Sequence, residues 1–357
     1  MTLNFDASPG LGYFQAYASI GQALGWDGIT CRNTGNVALL KELVRQKLEG
    51  DLMAAPHDLR VFIKDEPHKP KKIQTGAYRL IMVMSLEDQM VDRLLMISWS
   101  ETEIANCAHI PGKTGWTPIP AGYRLFNAEF PGDVLATDCS AFDWTFPSWV
   151  PPLLVKLRLD QVPDASARYK MLVENRWKQV LRDAVIRLPN GDRYRQEGYG
   201  LMKSGWYRTI AENSAAQVLI NSLAWKRSGL PGLMPRIWTM GDDVLLGWNQ
   251  KWDSRKLEDA LATTGVLVKQ STTTREFGGF EISLQGHVTP LYRDKHAFML
   301  SHVNPAIKSA IADSYTCLYA VAKPGFADVV REKVTPHSSL TWRLAELWAR
   351  GVVSARC

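Results

Sequence analysis

The chain has 357 residues, 46% hydrophobic and 22% charged, which excludes disorder, collagen and coiled coil as descriptions of the whole. No run approaches the roughly 18 apolar residues of a membrane span, and stretches such as Val150 to Val155 are short and broken by proline. Lys and Arg number 42 against 36 Asp and Glu, so the net charge is +6. That excess is compatible with a polyanionic partner without requiring one.

At roughly 150 residues per domain, the length suits two domains or one interleaved enzyme of two or three lobes. The five cysteines are widely spaced and contain no C-x-x-C, so they form neither a disulfide framework nor a zinc site. The segment Met1 to Asp6 lacks the basic region and apolar core of a signal peptide. A reducing, cytosolic compartment is the default. The thirteen tryptophans read as packing residues.

In chain order, the glycine-rich first thirty residues read as loop. Val37, Leu40, Val44 and Leu48 share one face, predicting a helix over 37–48. An extended segment at 59–64 runs into a basic, proline-punctuated loop at 66–72. An apolar strand at 78–83 and a helix at 86–99 follow. Residues 107–132 hold four prolines and four glycines and read as loop-rich. A strand at 134–137 ends on Asp138, and an interrupted helical region covers 149–182. Asn190-Gly191 between two β-rich runs predicts a hairpin. A long helix at 207–227 precedes two short strands between Arg236 and Trp248. Ser254 is expected to cap a helix ending at Gly265, with a strand at 266–268 after it. The last seventy residues look helical, with Trp342, Leu344, Leu347 and Trp348 as their core. Strands and helices without regular βαβ alternation indicate an α+β fold.

Two acidic clusters carry the chemistry. Asp138 and Asp143 form a D-x4-D at a strand end, and Gly241-Asp242-Asp243 lies at the tip of a predicted hairpin. Taken alone, Gly-Asp-Asp reads equally as a solvated turn, and Asp138 as a strand-end cap. Side by side, the two strands would put Asp138 and Asp242 within reach of shared cations, and two divalent ions can activate one oxygen and stabilise another. Magnesium suits such sites because it takes oxygen ligands and keeps waters. Between the clusters, Ser204-Gly205 leads into a helix on which Thr209 and Asn213 share a face.

D-x4-D, S-G-x3-T-x3-N-S and G-D-D, in that order, resemble motifs A, B and C of viral RNA-dependent RNA polymerases. Lys64 to His68, with Tyr78-Arg79-Leu80-Ile81, resembles motif F. Ser8-Pro9-Gly10 resembles motif G, and Glu276 to Phe280 resembles motif E, although Gly278-Gly279 replaces the more usual cysteine or serine. The K-x-E-P-H form, Phe142-Asp143-Trp144 and Ser85 to Gln89 are most similar to the sobemovirus and sobemo-like positive-strand RNA viruses.

The resemblance implies a right-hand polymerase with an antiparallel palm sheet backed by helices. It divides the chain into fingers at 1–132, palm at 133–160, a fingers insertion at 161–200, palm at 201–285 and thumb at 286–357. It implies Asp138, Asp242 and Asp243 as ligands of two Mg2+ ions, with Mn2+ able to substitute. Lys64, Arg79, Asp143, Ser204, Thr209 and Asn213 would meet the NTP, with Asp143 and Asn213 sensing the ribose 2′-hydroxyl. Ser8, Pro9, Gly10, Lys69, Lys71, Lys72 and Gly205 would guide RNA. Glu66 would order the fingertip by pairing with a basic neighbour, and Lys269, after the strand, would be the general acid for pyrophosphate. Implied partners are the RNA template and product strand, NTPs, a viral protein primer and other replication proteins. Those proteins would recruit the chain to membrane-associated replication complexes in the host cytoplasm. Competing readings are a degenerate RNA-binding relative, which the intact aspartates disfavour, and a DNA polymerase or reverse transcriptase, which Asn213 and Asp143 disfavour. An unrelated basic binding module does not account for the ordered motifs.

Overall fold

The computed structural model describes residues 3–49, 53–68 and 70–354; Lys69 of the basic loop lies outside them. The first elements are α1 (Ile20–Leu24) and α2 (Thr34–Leu48), with Ser19 and Asn33 accepting the N–H groups of Gln22 and Asn36 as N-caps. β1 (Leu59–Ile63), the short helix α3 (Pro70–Thr75) and β2 (Leu80–Val83) follow, then α4 (Leu86–Ala105), capped by Ser85. Next come α5 (Gly122–Glu129), β3 (Val134–Cys139), α6 (Val150–Asp160) and α7 (Ala167–Leu181). β4 (Val185–Arg187) and β5 (Arg193–Arg195) form the hairpin that Asn190-Gly191 predicts. α8 (Thr209–Ser228), β6 (Ile237–Met240), β7 (Asp243–Gly247), α9 (Ser254–Ala262) and β8 (Val268–Thr273) build the centre. β9 (Glu276–Phe277), β10 (Phe280–Ile282) and β11 (Val288–Pro290) precede α10 (Arg293–Ser301), α11 (Lys308–Tyr319), α12 (Asp328–Val334) and α13 (Trp342–Ala349).

The central sheet has the order β6-β7-β3-β8 and is antiparallel throughout. α8 and α9 pack against each other, α8 beside β6 and α9 beside β8. A second sheet runs β2-β1-β4-β5, with β1 and β4 parallel. A small sheet, β11-β10-β9, lies beyond β7. The largest apolar cluster joins α1, α2, α4, α6 to α9 and the central strands. A second is aromatic: Trp238 meets Phe126, Phe130 and Phe277 near edge-on, at centroid distances of 5.4, 5.4 and 5.8 Å, the arrangement that ring quadrupoles favour. No described helix is long and apolar enough to cross a membrane.

Several expectations need correction. Residues 107–132 contain α5, whose Tyr123 and Phe126 are buried; the surrounding proline and glycine masked that short apolar face. The glycine-rich start contains α1, and Pro70–Thr75 of the basic loop is helical. Asp253, not Ser254, caps α9. The strand expected at 266–268 begins only at Val268, so Lys269 lies on it rather than after it. In the C-terminal helices Leu344 is 46% exposed, and α13 buries Ala345 and Ala349. Trp342 packs instead on the cluster of Ala312, Tyr319, Ala327, Val330 and Val334, and Trp348 on the aromatic cluster.

Candidate active site

The β3–β7 register pairs Thr137 with Val244. One step further along both strands stand Asp138 and Asp243, with Asp242 in the turn before β7. Gly241, at φ 65°, permits that turn and donates its N–H to Ser214 Oγ of α8 at 2.9 Å. Gln217, one turn further along α8, reaches the Asp242 carbonyl at 3.5 Å. The Asp243 carboxyl is pushed up to about 6, first by burial and then by the charge of Asp242, against a backbone N–H bond from Gly278. Gly278 and Gly279 both have positive φ. The glycine pair that departs from the motif E pattern therefore makes a turn whose backbone meets Asp243, a contact sequence reasoning missed.

Asp138 is ion-paired with Lys269 of the neighbouring strand β8, which holds the Lys269 ammonium above its usual range. Among the described residues no three His, Cys, Asp or Glu side chains cluster closely enough to ring an ion. The donors still suit a hard cation: they are carboxylate oxygens, and the charges of Asp242 and Asp138 both raise Asp243, a repulsion a cation would relieve. Asp138, Asp242 and Asp243 are the residues that would hold it.

Asn213 Nδ2 donates to Asp143 Oδ1 at 2.9 Å, and Asn213 Oδ1 is buried without a partner. The Asp143 carboxyl is raised, chiefly by burial and also by Asp242, while Asn213 and Arg79 oppose the shift. The polar pair thus sits within the field of the catalytic candidates. The Ser204 and Thr209 hydroxyls are bonded to backbone groups. Ser204 Oγ accepts from Met82 N at 3.1 Å and donates to Leu80 O at 3.3 Å, stitching its loop to β2. Thr209 Oγ1 donates to the carbonyls of Lys203 and Trp206 at 2.5 and 2.9 Å. At Gly205 a Cβ would lie 2.1 Å from Met82 O, so the close approach of the two backbones requires glycine there.

Lys203, before this loop, is fully buried and bonds to Gln196 Oε1 and Leu201 O. Burial pushes its amine down from 10.5 to about 7. Between those values the unfolded chain binds more protons than the folded one, so stability should rise as pH increases from about 7 toward 10.5. Melting temperatures across that window should show a slope that Lys203→Met flattens; an unchanged slope refutes the assignment.

The fingertip candidates gather at the open end of β1–β2. Lys64 N donates to Arg79 O at 2.8 Å, setting the two residues side by side. Glu66 Oε2 lies 3.2 Å from both Lys64 Nζ and Lys295 Nζ of α10. The basic neighbour of Glu66 is thus double, and one of the two comes from 229 residues away. Lys71 and Lys72 are exposed on α3. Pro9 and Gly10 are buried: Pro9 O accepts Leu86 N at 2.8 Å, and a Cβ on Gly10 would meet Met84 O at 2.3 Å. Of that segment, Ser8 alone keeps partial exposure.

Behind the site, α8 is anchored by buried charge. Arg158 Nε contacts Glu212 Oε1 at 3.1 Å and Arg158 Nη1 contacts Glu103 at 2.5 Å; Arg208 Nη2 lies 2.8 Å from both glutamates. A cavity of about 1210 Å³ opens between α4, α6, α7 and the Ala211–Ala215–Val218 face of α8, away from the Asn213–Gln217 face. This cavity is therefore not the carboxylate site.

The arrangement is that of a right-hand polymerase, α+β, with an antiparallel sheet bearing carboxylates and backed by helices. The solved structure titled Sicinivirus 3Dpol RNA dependent RNA polymerase shares this fold, with a TM-score of 0.70 at 16% identity over 96% of this chain and 76% of that one. Residues 30–117 and 158–302 match the family described as viral RNA-directed RNA-polymerase, and the chain belongs to that family. It is similar to the replicase polyprotein P2AB of Southern cowpea mosaic virus, with 34% identity over 200 residues, 53% of this chain and 20% of that protein. It is also similar to an RNA-directed RNA polymerase of Mushroom bacilliform virus, 29% identical over 236 residues, 64% of this chain. The similarity spans about half of the latter protein's length (54%). The family match leaves out residues 118–157, so strand register is what places Asp138 beside β7 and the Asn213 hydrogen bond is what places Asp143.

Proposed function

We propose that this chain copies an RNA template into RNA from NTPs, in the replication and transcription of a sobemo-like virus. The observation that carries the reading is the Asn213–Asp143 hydrogen bond, at 2.9 Å, beside strands that hold Asp138 and Asp242–Asp243. A ribose 2′-hydroxyl can donate a hydrogen bond, and this pair offers it two acceptors, the buried Asn213 amide oxygen and the Asp143 carboxylate. Asp138, Asp242 and Asp243 would hold two Mg2+ ions, or Mn2+ in their place. When bound, such ions activate the attacking 3′-hydroxyl and stabilise the leaving pyrophosphate. Arg79 offers the triphosphate a bidentate guanidinium and Lys64 a point charge. Lys269, paired with Asp138, would be the residue to protonate the leaving pyrophosphate.

The chain would divide into interleaved fingers, palm and thumb at the boundaries set out above. Lys71, Lys72 and Ser8 would meet RNA, while Pro9, Gly10 and Gly205 shape the path through backbone. A protein primer and other replication proteins, drawing the chain to membrane-associated complexes in the host cytoplasm, complete the proposal. Its test is RNA-templated incorporation. The wild type should use NTPs with Mg2+ or Mn2+, and Asn213→Ala should lower NTP-over-dNTP preference about tenfold, the value of one hydrogen bond to a charged network. Undiminished preference would remove the ribose assignment.

The shared Glu66 carboxylate has a kinetic consequence. With Lys295 neutralising Glu66, Lys64 is free to exchange toward phosphate. Lys295→Met should leave Lys64 held by Glu66 and raise the KM for NTP about two- to fivefold, the scale of a partly exposed ion pair, with kcat nearly constant. Lys295→Arg should restore it. Equal KM in wild type and Lys295→Met refutes the competition.

A further inference from the structure

The second sheet has an open face that neither the carboxylates nor the α8 network uses. Register sets Arg60 of β1 beside Arg187 of β4, and Arg187 opposite Arg193 of β5. Three arginines therefore form a row across three adjacent strands, on one face. Arg195, two residues beyond Arg193, shares that face, and so does Phe62, two beyond Arg60. All five are exposed. Like charges directly opposite one another on neighbouring strands are unfavourable in an isolated fold. Here only Arg193 is neutralised, by Asp58 at 2.7 and 2.8 Å. Arg187 and Arg195 have no side-chain partner among the described residues, and Arg60 has only Ser8 Oγ at 3.5 Å. Of the acidic residues flanking these strands, Asp183 is ion-paired with Arg182 and Asp192 accepts from the neutral Asn190 amide, while Asp65 and Glu197 have no partner among the described residues. With Arg193 alone ion-paired, Arg60, Arg187 and Arg195 present guanidinium groups without a carboxylate partner among the described residues.

The row adjoins the proposed site at two points. Arg60 touches Ser8, and β1 runs on into Lys64. We propose that this face is a track for the uncopied, single-stranded part of the RNA template, with Arg60, Arg187 and Arg195 taking backbone phosphates and Phe62 giving a base an apolar surface. Guanidinium groups interleaved with an exposed ring suit a strand that alternates phosphate and base, without sequence preference. The inference rests on the polymerase reading for the word template; the anion track itself rests on the register.

The test uses the full chain without NTPs. Two RNA primer–templates share one duplex and differ in the length of the 5′ template overhang, and binding is measured over a salt series. The wild type should bind the long overhang more tightly. The triple variant Arg60→Gln/Arg187→Gln/Arg195→Gln should lose that advantage and flatten the salt slope by about 2, three phosphate contacts at roughly 0.7 each for a single strand. Its binding to the short overhang should be unchanged, and its melting temperature equal or higher because the row's repulsion is gone. An unchanged slope and affinity on the long overhang overturns the track, as does an equal loss on both RNAs. Loss of polyglutamate binding matching the loss of RNA binding overturns it in favour of an acidic protein partner. A wild type that shows the overhang advantage yet incorporates no nucleotide refutes the polymerase reading and leaves the track standing. Active incorporation without any overhang advantage refutes the track alone.

Discussion

Asp242→Ala should abolish RNA-templated nucleotide incorporation, by about 10³-fold or more, while leaving RNA binding in place. The size follows from the role proposed for the carboxylate: a metal-based stabilisation of several kcal/mol, at one decade for each 1.4 kcal/mol. The selectivity follows from position. Asp242 is in the β6–β7 turn, whereas the groups proposed to meet RNA phosphates are lysines, arginines and backbone elsewhere. Stability should not fall, because Asp242 is one of the charges that raise the neighbouring Asp243 carboxyl to about 6. Single-turnover incorporation, RNA affinity and melting temperature measured on the same preparation separate these effects. Wild-type-like incorporation would refute the site, and a collapsed melting temperature would refute its surface placement.

The second large effect concerns stability. Glu212→Gln should lower unfolding free energy by about 3–5 kcal/mol, because it leaves two buried guanidinium groups sharing one remaining carboxylate. Glu212 is 0% exposed, Arg208 0% and Arg158 3%, so water cannot take over the lost interaction. For a chain of this size the melting temperature should fall on the order of 5–10 °C. The double variant Arg158→Met/Glu212→Leu should lose much less, since removing both partners leaves Arg208 paired with Glu103 and no orphaned charge. Thermal unfolding of the two variants decides it: an unchanged melting temperature for Glu212→Gln shows the network carries no stability. A double variant worse than the single shows that packing rather than charge pairing holds α8.

The candidate site was legible wherever chemistry and spacing coincide on one element. Asp138 at a strand end, Asp242–Asp243 at a hairpin tip and Asn213 on a helix face were readable because period-2 and period-3.6 patterns fix which way a residue points. Hydroxyl residues were not. Ser204 and Thr209 were expected at the nucleotide, yet both bond to nearby backbone, and serine and threonine do this so readily that spacing cannot distinguish a ligand contact from a loop stitch. Short helices such as α5 and α3 were hidden by the proline and glycine around them. The C-terminal helix was read from its leucines, but its buried positions are the alanines Ala345 and Ala349, because close helix packing selects small side chains there.

The sequence by itself determined the α+β class, the order of the motifs and the Asn190-Gly191 hairpin by local pattern, and the three metal-ligand candidates through the resemblance those motifs carry. The tertiary structure alone decided the rest. It put Asp138 beside β7 and against Lys269, which only strand register can specify. It joined Arg158, Glu212, Arg208 and Glu103 from α6, α8 and α4, because a buried charge takes its partner from whichever element packs nearest. It brought Lys295 to Glu66 across 229 residues, and it lined up Arg60, Arg187 and Arg193 on one face. Net charge could not reveal that row: +6 is a sum over the chain, whereas the repulsion that marks an anion site depends on which strands are neighbours.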